Sequence, residues 1–103
     1  MARAKKVDDN QKEIVQTFRN LGAQVAITSS AGAGFPDLVV QYRYPSRRCH
    51  NLETMLVEVK DGNKPPSHRK LTPVQEIFHE KFICHIVESV KDAYELLEIN
   101  YVD

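Results

Sequence analysis

Two strand-like segments of the chain carry acidic residues at positions where a buried strand should be apolar. The first segment is GFPDLVV at 34–40, which contains Asp37, and the second is MLVEVKD at 55–61, in which Glu58 is followed by Lys60. Burial of an unpaired charge is strongly unfavourable in a protein interior. A fold that keeps both acids in its strands must therefore place something cationic between them.

The apolar periodicity predicts seven elements in the order α-β-β-β-α-β-α. The first helix is expected between Asp8 and Leu21, with Gly22 as its C-cap. Strands are predicted at 24–28, 37–42, 54–60 and 84–87. Three successive strands favour a meander, and the strand–helix–strand step favours a parallel crossover. The sequence thus predicts an α/β fold with a mixed sheet flanked by helices.

Capping residues mark the starts of the other two helices. Thr72, followed by Pro73 and Gln75, forms a predicted capping box, and Ser89 is the expected N-cap of the last helix. The apolar stripe expected on the second helix consists of Val74, Ile77, Phe78 and Phe82.

Length and composition are those of one soluble domain. The chain has 103 residues, of which 42% are hydrophobic and 27% charged, and no apolar run approaches the roughly 20 residues of a membrane helix. Residues 1–7 are expected to be disordered, and they do not form a secretory signal, so an intracellular, cytoplasmic protein is expected. Cys49 and Cys84 lack the paired spacing of a zinc site and are expected to be free thiols.

Asp37, Glu58 and Lys60 form a candidate site for a metal ion and a phosphate. If the two strands are neighbours, both carboxylates converge on one point with the backbone carbonyl of Val59. Such oxygen ligands suit Mg²⁺ or Mn²⁺, and a bound ion can hold a phosphate oxygen and activate water. Lys60 would orient the attacking water or stabilise transition-state charge. The simpler alternative is a Glu–Lys ion pair at the end of a strand.

The motifs PD at 36–37 and EVK at 58–60 resemble the signature of the PD-(D/E)XK nuclease superfamily, whose restriction-endonuclease-like core is similar to the predicted element order. Within it, the chain is most similar to the small stand-alone VRR-NUC domains. The stretches KLTPVQEIF and HIVESVKDAYELL extend the likeness, which runs from about Gln11 to Leu97. The resemblance implies one VRR-NUC-like nuclease domain over residues 1–103.

The resemblance also implies an activity. The stand-alone members that the chain resembles look like homodimers that cut four-way (Holliday) junctions in DNA with Mg²⁺ or Mn²⁺. A prokaryotic or phage-like origin suits such a domain. Two alternatives remain open. One is a flap or nicking nuclease that works as a monomer, and the other is a catalytically weakened DNA-binding module of the same fold.

Two further residues join the candidate catalytic set through the resemblance. Gln75 matches a family glutamine that faces the site, although it also fits the capping box. Gln11 stands where the family often has a glutamate on the first helix. Either the site works with two carboxylates, or Glu13 reaches in, or activity is weak. Glu88 and Ser89 occupy the place of the arginines that give the VRR label.

Six polar residues are candidate contacts to DNA phosphates. They are Ser29, Ser30, Lys64, His68, Arg69 and Lys70. The four basic residues lie in DGNKPPSHRK at 61–70, a predicted loop because its prolines and glycine disfavour regular structure. A further basic cluster contains Arg43, Arg47 and Arg48. Solvated loops are the plain alternative for both clusters. Phe35, Tyr42 and Tyr44 either wedge between bases or pack in the core and at its rim.

Overall fold

A four-stranded mixed sheet is the central element of the computed structural model, which describes residues 7–45 and 51–102. The strands are β1 (Gln24–Ile27), β2 (Leu38–Arg43), β3 (Leu52–Val59) and β4 (Cys84–Val87). Their order in the sheet follows the order in the chain. The first three strands run antiparallel, and β4 pairs with β3 in parallel. The predicted meander and parallel crossover are confirmed.

Three α-helices and one short 3₁₀ helix connect or follow these strands. They are α1 (Gln11–Asn20), the 3₁₀ helix (Pro66–His68), α2 (Pro73–Lys81) and α3 (Val90–Leu96). The predicted element order is confirmed, and the 3₁₀ helix is an addition within the predicted loop. It forms because Pro66 stands at its first position, where the fixed φ of proline suits a helical turn. No helix in the described ranges is long and apolar enough to cross a bilayer.

The hydrophobic core lies on one face of the sheet, between the strands and helices α1 and α3. The inward residues of the central strands alternate along the chain because strand side chains have a period of two. They are Leu38, Val40 and Tyr42 on β2, and Met55, Val57 and Val59 on β3. From the helices, Ile14, Phe18 and Ala93 are fully buried against them.

The ends of the helices follow the predicted capping chemistry. Gly22 follows α1 with a φ of +97°, a left-handed conformation that favours glycine. The Thr72 hydroxyl accepts from the Gln75 backbone N–H while the Gln75 side chain accepts from the Thr72 N–H, so the capping box is confirmed. The Ser89 side chain accepts from the Asp92 N–H at the start of α3.

The apolar stripe expected on α2 is largely exposed in the structure. Val74, Ile77 and Phe82 are each about half exposed, and the buried side chain of this helix is Gln75. Phe78 is half-buried and stacks against Phe82. Amphipathic spacing identifies an apolar face, but it does not say whether the same chain covers that face.

Several predictions concern residues 1–6 and 46–50, which lie outside the described residues. These include the expected disorder at the start of the chain, the basic residues Arg47 and Arg48, and the thiol of Cys49. Cys84 is a free thiol on β4. Arg43 is exposed and donates to the side chain of Asn51.

Candidate active site

Asp37 lies directly before β2, on the face of the sheet opposite the core. The ladder pairs Leu38 with Val57, so the next step places Asp37 opposite Glu58. The loop before it is fixed by the Thr28 N–H, which donates to the Asp37 backbone carbonyl at 2.7 Å. The Asp37 side chain is 2% exposed, and its Oδ2 accepts from the Val59 N–H at 2.8 Å. This bond ties the carboxylate of one strand to the backbone of the next.

Glu58 and Lys60 are both buried on the same face as Asp37. Glu58 is fully buried and Lys60 is 7% exposed. The Lys60 Nζ lies 3.8 Å from Glu58 Oε2, which is a contact between charges rather than a short hydrogen bond. Neighbouring charges of opposite sign reduce the cost of burying both groups. The structure therefore brings the three predicted residues together at one end of the β2–β3 pair.

Gln75 connects this cluster to the start of α2. Its Oε1 accepts from Lys60 Nζ at 3.0 Å and from the Thr72 N–H at 2.9 Å, and its Nε2 donates to Glu58 Oε2 at 3.2 Å. Gln75 thus has both of its predicted contacts, as part of the capping box and as a neighbour of Lys60. Because one amide bonds both charged groups, the helix start fixes their side chains relative to each other.

Gln11 is buried on α1 but is one step removed from the carboxylates. Its Nε2 donates to Ser29 Oγ at 2.9 Å, and the Ser29 hydroxyl lies 3.5 Å from the backbone carbonyl oxygen of Asp37. Glu13 is exposed, which argues against the alternative that it reaches into the site. The reason is helical phase, since Gln11 shares its face with Ile14 and Phe18.

Ser29 and Ser30 differ in what they can contact. Ser29 is buried and its hydroxyl faces Gln11, which is not the geometry of a phosphate donor at the surface. Ser30 is exposed, so it is the serine of the pair that a DNA phosphate can reach. The burial of Ser29 follows from its position beside the start of β2, which the local sequence of small residues did not reveal.

The basic side chains of the loop at 61–70 fall into two groups with different contacts. Lys64 and His68 lie beside Lys60 around one cavity, and Lys64 forms an ion pair with Asp8 at 3.7 Å. Arg69 turns the other way and contacts the Glu88 carboxylate at 3.2 Å. Lys70 is exposed. The four residues predicted as one cluster are therefore not equivalent, because Glu88 draws Arg69 away from the cavity.

The three candidate aromatic residues also separate. Tyr42 and Tyr44 are buried and pack edge to face with centroids 4.9 Å apart, and the Tyr44 hydroxyl donates to the Leu96 carbonyl. They are core residues, so the wedge interpretation is wrong for both. Phe35 is half-buried, packs edge to face against Phe78 at 5.3 Å, and lines the cavity that holds Lys60.

Asn10 is a buried residue near the site that the sequence analysis missed. Its Nδ2 donates to the carbonyl oxygen of Lys60 and to that of Glu88, both at 3.1 Å. It thereby joins the start of α1 to the residues that directly follow β3 and β4. The partners lie 50 and 78 positions away, and the only local signal is an asparagine before a helix, which normally indicates a cap.

The oxygen atoms at this site fit a small divalent cation. Asp37 and Glu58 supply carboxylates, and the Val59 carbonyl points to the same side of its strand as the N–H that reaches Asp37. Hard oxygen ligands of this kind suit Mg²⁺ or Mn²⁺. Within residues 7–45 and 51–102, no group of three or more His, Cys, Asp or Glu side chains could hold a metal ion. A metal at this site would therefore depend on two carboxylates, a backbone carbonyl and water.

Cys84 lies on the same sheet face as Glu58, because β4 pairs it with Leu56. Burial, and secondly the negative charge of Glu58, raise the pKa of the Cys84 thiol above its usual value. A thiol with a raised pKa stays protonated at neutral pH and is a poor nucleophile. Cys84 is thus a neutral neighbour of the acidic site.

The two hydrogen bonds from Asn10 predict a measurable loss of stability on truncation. Asn10→Ala leaves two carbonyl groups without this donor, and we expect it to lower the free energy of unfolding by about 2 kcal/mol, as urea denaturation would measure. Gln16→Ala is the matched control, since it removes an exposed bond to Asn20 on the same helix. Equal stability of the two variants would contradict this role of Asn10.

No protein-family model and no curated protein matches the chain. A solved structure of a VRR_NUC domain is similar, with a TM-score of 0.58 and 33% sequence identity over 88% of this chain and 92% of that chain. The chain therefore belongs to the VRR-NUC family of nuclease domains and has the fold of the PD-(D/E)XK superfamily.

Proposed function

We propose that this protein is a metal-dependent DNA endonuclease that hydrolyses phosphodiester bonds at branched DNA, with the four-way junction as its preferred substrate. The observation that carries the proposal is the burial of Asp37, Glu58 and Lys60 together at the end of two paired strands. A structural ion pair needs one acid and one base. A second buried carboxylate directly opposite the first is better explained by a divalent cation.

The roles of the residues follow from their contacts. Asp37, Glu58 and the Val59 carbonyl would hold Mg²⁺ or Mn²⁺, which supplies charge neutralisation at the phosphate and a more acidic water. Lys60 carries the positive charge that stabilises the phosphate as negative charge builds up on it. Gln75 is a positioning residue, because its amide on α2 accepts from Lys60 and donates to Glu58 and so fixes both side chains relative to that helix.

Contacts to the rest of the DNA would be made mainly to its phosphates. Lys64 and His68 lie on the same side as Lys60, and Lys70 and Ser30 are exposed. Contacts of this type position a duplex without reading its sequence. Selection would then act on the shape of the DNA, which suits a junction-cutting nuclease.

Cleavage assays with active-site variants test the proposal. Labelled four-way junction, flap and linear duplex are incubated with Mg²⁺, Mn²⁺ or EDTA. We expect paired cuts in the junction that require the metal and fall about 100-fold or more in Asp37→Asn and in Lys60→Met. Both changes preserve side-chain size, so the loss would report on charge rather than on packing.

Matched controls come from charged residues remote from the site. Lys91 and Glu95 form an exposed pair on α3, and Lys91→Met and Glu95→Gln are expected to cut at the wild-type rate. Tight binding to the junction without cleavage in either metal would contradict the catalytic proposal and favour a binding module of the same fold. Cuts confined to flaps or single nicks would favour the alternative nuclease.

A homodimer would supply the second active site that symmetric junction cleavage needs. Large apolar side chains are exposed on α2 and on the segment that leads through β4, a strand at the edge of the sheet. They are Val74, Ile77, Phe82, Ile83 and Ile86. An apolar patch beside an open sheet edge is typical of a protein–protein interface. We place the contact between two copies of the chain at this patch.

The oligomeric state and one charge substitution test this assignment. Ile83 is 86% exposed within the patch and Val102 is 87% exposed near the end of the chain, so Ile83→Glu and Val102→Glu are a matched pair. We expect analytical ultracentrifugation to give a dimer for the wild type and Val102→Glu, and a monomer for Ile83→Glu. A monomeric wild type would contradict the dimer and support the monomeric flap or nicking nuclease.

Gln11 bears on how strongly the site holds a metal. A glutamate at this buried position would add a third acid near Asp37, which costs stability without a cation and increases the attraction for one. We expect Gln11→Glu to have a lower melting temperature than the wild type in EDTA. Added Mn²⁺ should raise the melting temperature of this variant more than that of the wild type. Equal shifts with and without metal would show that Gln11 serves only its bond to Ser29.

A further inference from the structure

A cavity of about 610 Å³ opens beside the candidate active site. Lys60 and Gln75 form part of its wall, so it is continuous with the place where a scissile phosphate would lie. Its size is within the range of roughly 300–1,000 Å³ that pockets for small ligands occupy. The cavity is therefore large enough for one nucleotide next to that phosphate.

One wall of the cavity is a glycine-rich turn without bulky side chains. Gly34 has a φ of +78°, and a Cβ added there would lie 2.6 Å from the Val74 carbonyl oxygen. The turn is thus packed closely against the start of α2, and the Phe35 N–H donates back to Gly32. This packing leaves a smooth wall and holds Phe35, the next residue, in place.

The other features of the cavity combine an aromatic ring with positive charge. Phe35 is half-buried and packs edge to face against Phe78. Lys64 and His68 also line the cavity, and Lys64 is paired at 3.7 Å with Asp8, another residue of its wall. An aromatic surface beside basic side chains is the chemistry that binds an unstacked base and its backbone.

We propose that this cavity takes an unstacked nucleotide adjacent to the scissile phosphate, with its base against the ring of Phe35. The inference rests on the proposed DNA cleavage and specifies its substrate as DNA in which one nucleotide can leave the stack. Unstacking is least costly at a branch, a mismatch or a single-stranded end. The cavity would therefore select branched DNA without reading its sequence.

Fluorescence of 2-aminopurine tests the position of the base. The probe is placed in turn at each nucleotide around the centre of a four-way junction, and the DNA is bound to Asp37→Asn protein so that it stays intact. We expect a severalfold rise in fluorescence at the nucleotide next to the mapped wild-type cut and none three or more nucleotides away. A flat signal at every position, in a protein that binds and cuts the junction, would overturn the inference alone.

Affinity for a modified junction tests the role of Phe35. Phe35→Leu is expected to weaken junction binding about tenfold through the loss of base stacking. An abasic nucleotide next to the mapped cut should weaken junction binding by the wild-type protein by the same factor. It should leave the affinity of Phe35→Leu for the junction unchanged. Tyr94→Leu, which removes a half-buried ring on α3 that packs against Tyr101, is the control and should bind as wild type.

The outcomes separate the inference from the proposed function. If the abasic nucleotide weakens binding to Phe35→Leu as much as it weakens binding to the wild type, the ring does not contact the base. That result would overturn the inference while cleavage stands. The abasic comparison in the wild-type protein does not depend on the folding of any variant. A protein that neither binds nor cuts DNA would overturn the proposed function and this inference with it.

Discussion

The burial of two carboxylates on adjacent strands is the constraint around which the site is organised. Asp37 and Glu58 face each other at the end of the β2–β3 pair, where both are buried and their like charges repel. Among the described residues, the Val59 N–H donates to Asp37, the Gln75 amide donates to Glu58, and the Lys60 ammonium lies 3.8 Å from Glu58. These groups come from β3 and α2, so the charge cluster also decides how α2 sits on the sheet.

Lys60 is held at both ends. Its side chain is bonded by Gln75 and lies near Glu58, while its backbone carbonyl accepts from Asn10 at the start of α1. If Lys60 binds a phosphate as proposed, its fixed side chain would lose little further freedom on binding, which is the benefit of a pre-organised site. The apolar core on the opposite face keeps the sheet rigid, and the sheet in turn holds Lys60 in position.

The sequence predicted the elements whose signals are local. The apolar alternation of β3, the capping box at Thr72 and the cap at Ser89 all depend on residues within a few positions of one another. The carboxylates could also be identified, because an acid in a strand conflicts with the local pattern. Such a conflict is where a functional site is expected.

What the sequence did not reveal depends on contacts between distant segments. The two hydrogen bonds of Asn10 and the burial of Ser29 depend on how α1 and the loop before β2 pack against the sheet. The direction of Arg69 depends on Glu88, which follows a different strand. The exposure of Ile77 on α2 could not be predicted either, since an apolar stripe looks the same whether its own chain or a second copy covers it.

The nuclease chemistry proposed for this protein requires a divalent cation between Asp37 and Glu58. Anomalous scattering from crystals grown with Mn²⁺ measures this directly, with Asp37→Asn crystals as the reference. We predict one strong peak within bonding distance of both carboxylates and the Val59 carbonyl oxygen, and its loss in the variant. A map without a peak at this position, with Lys60 bridging the two carboxylates instead, would contradict the account and leave the cluster as a structural ion pair.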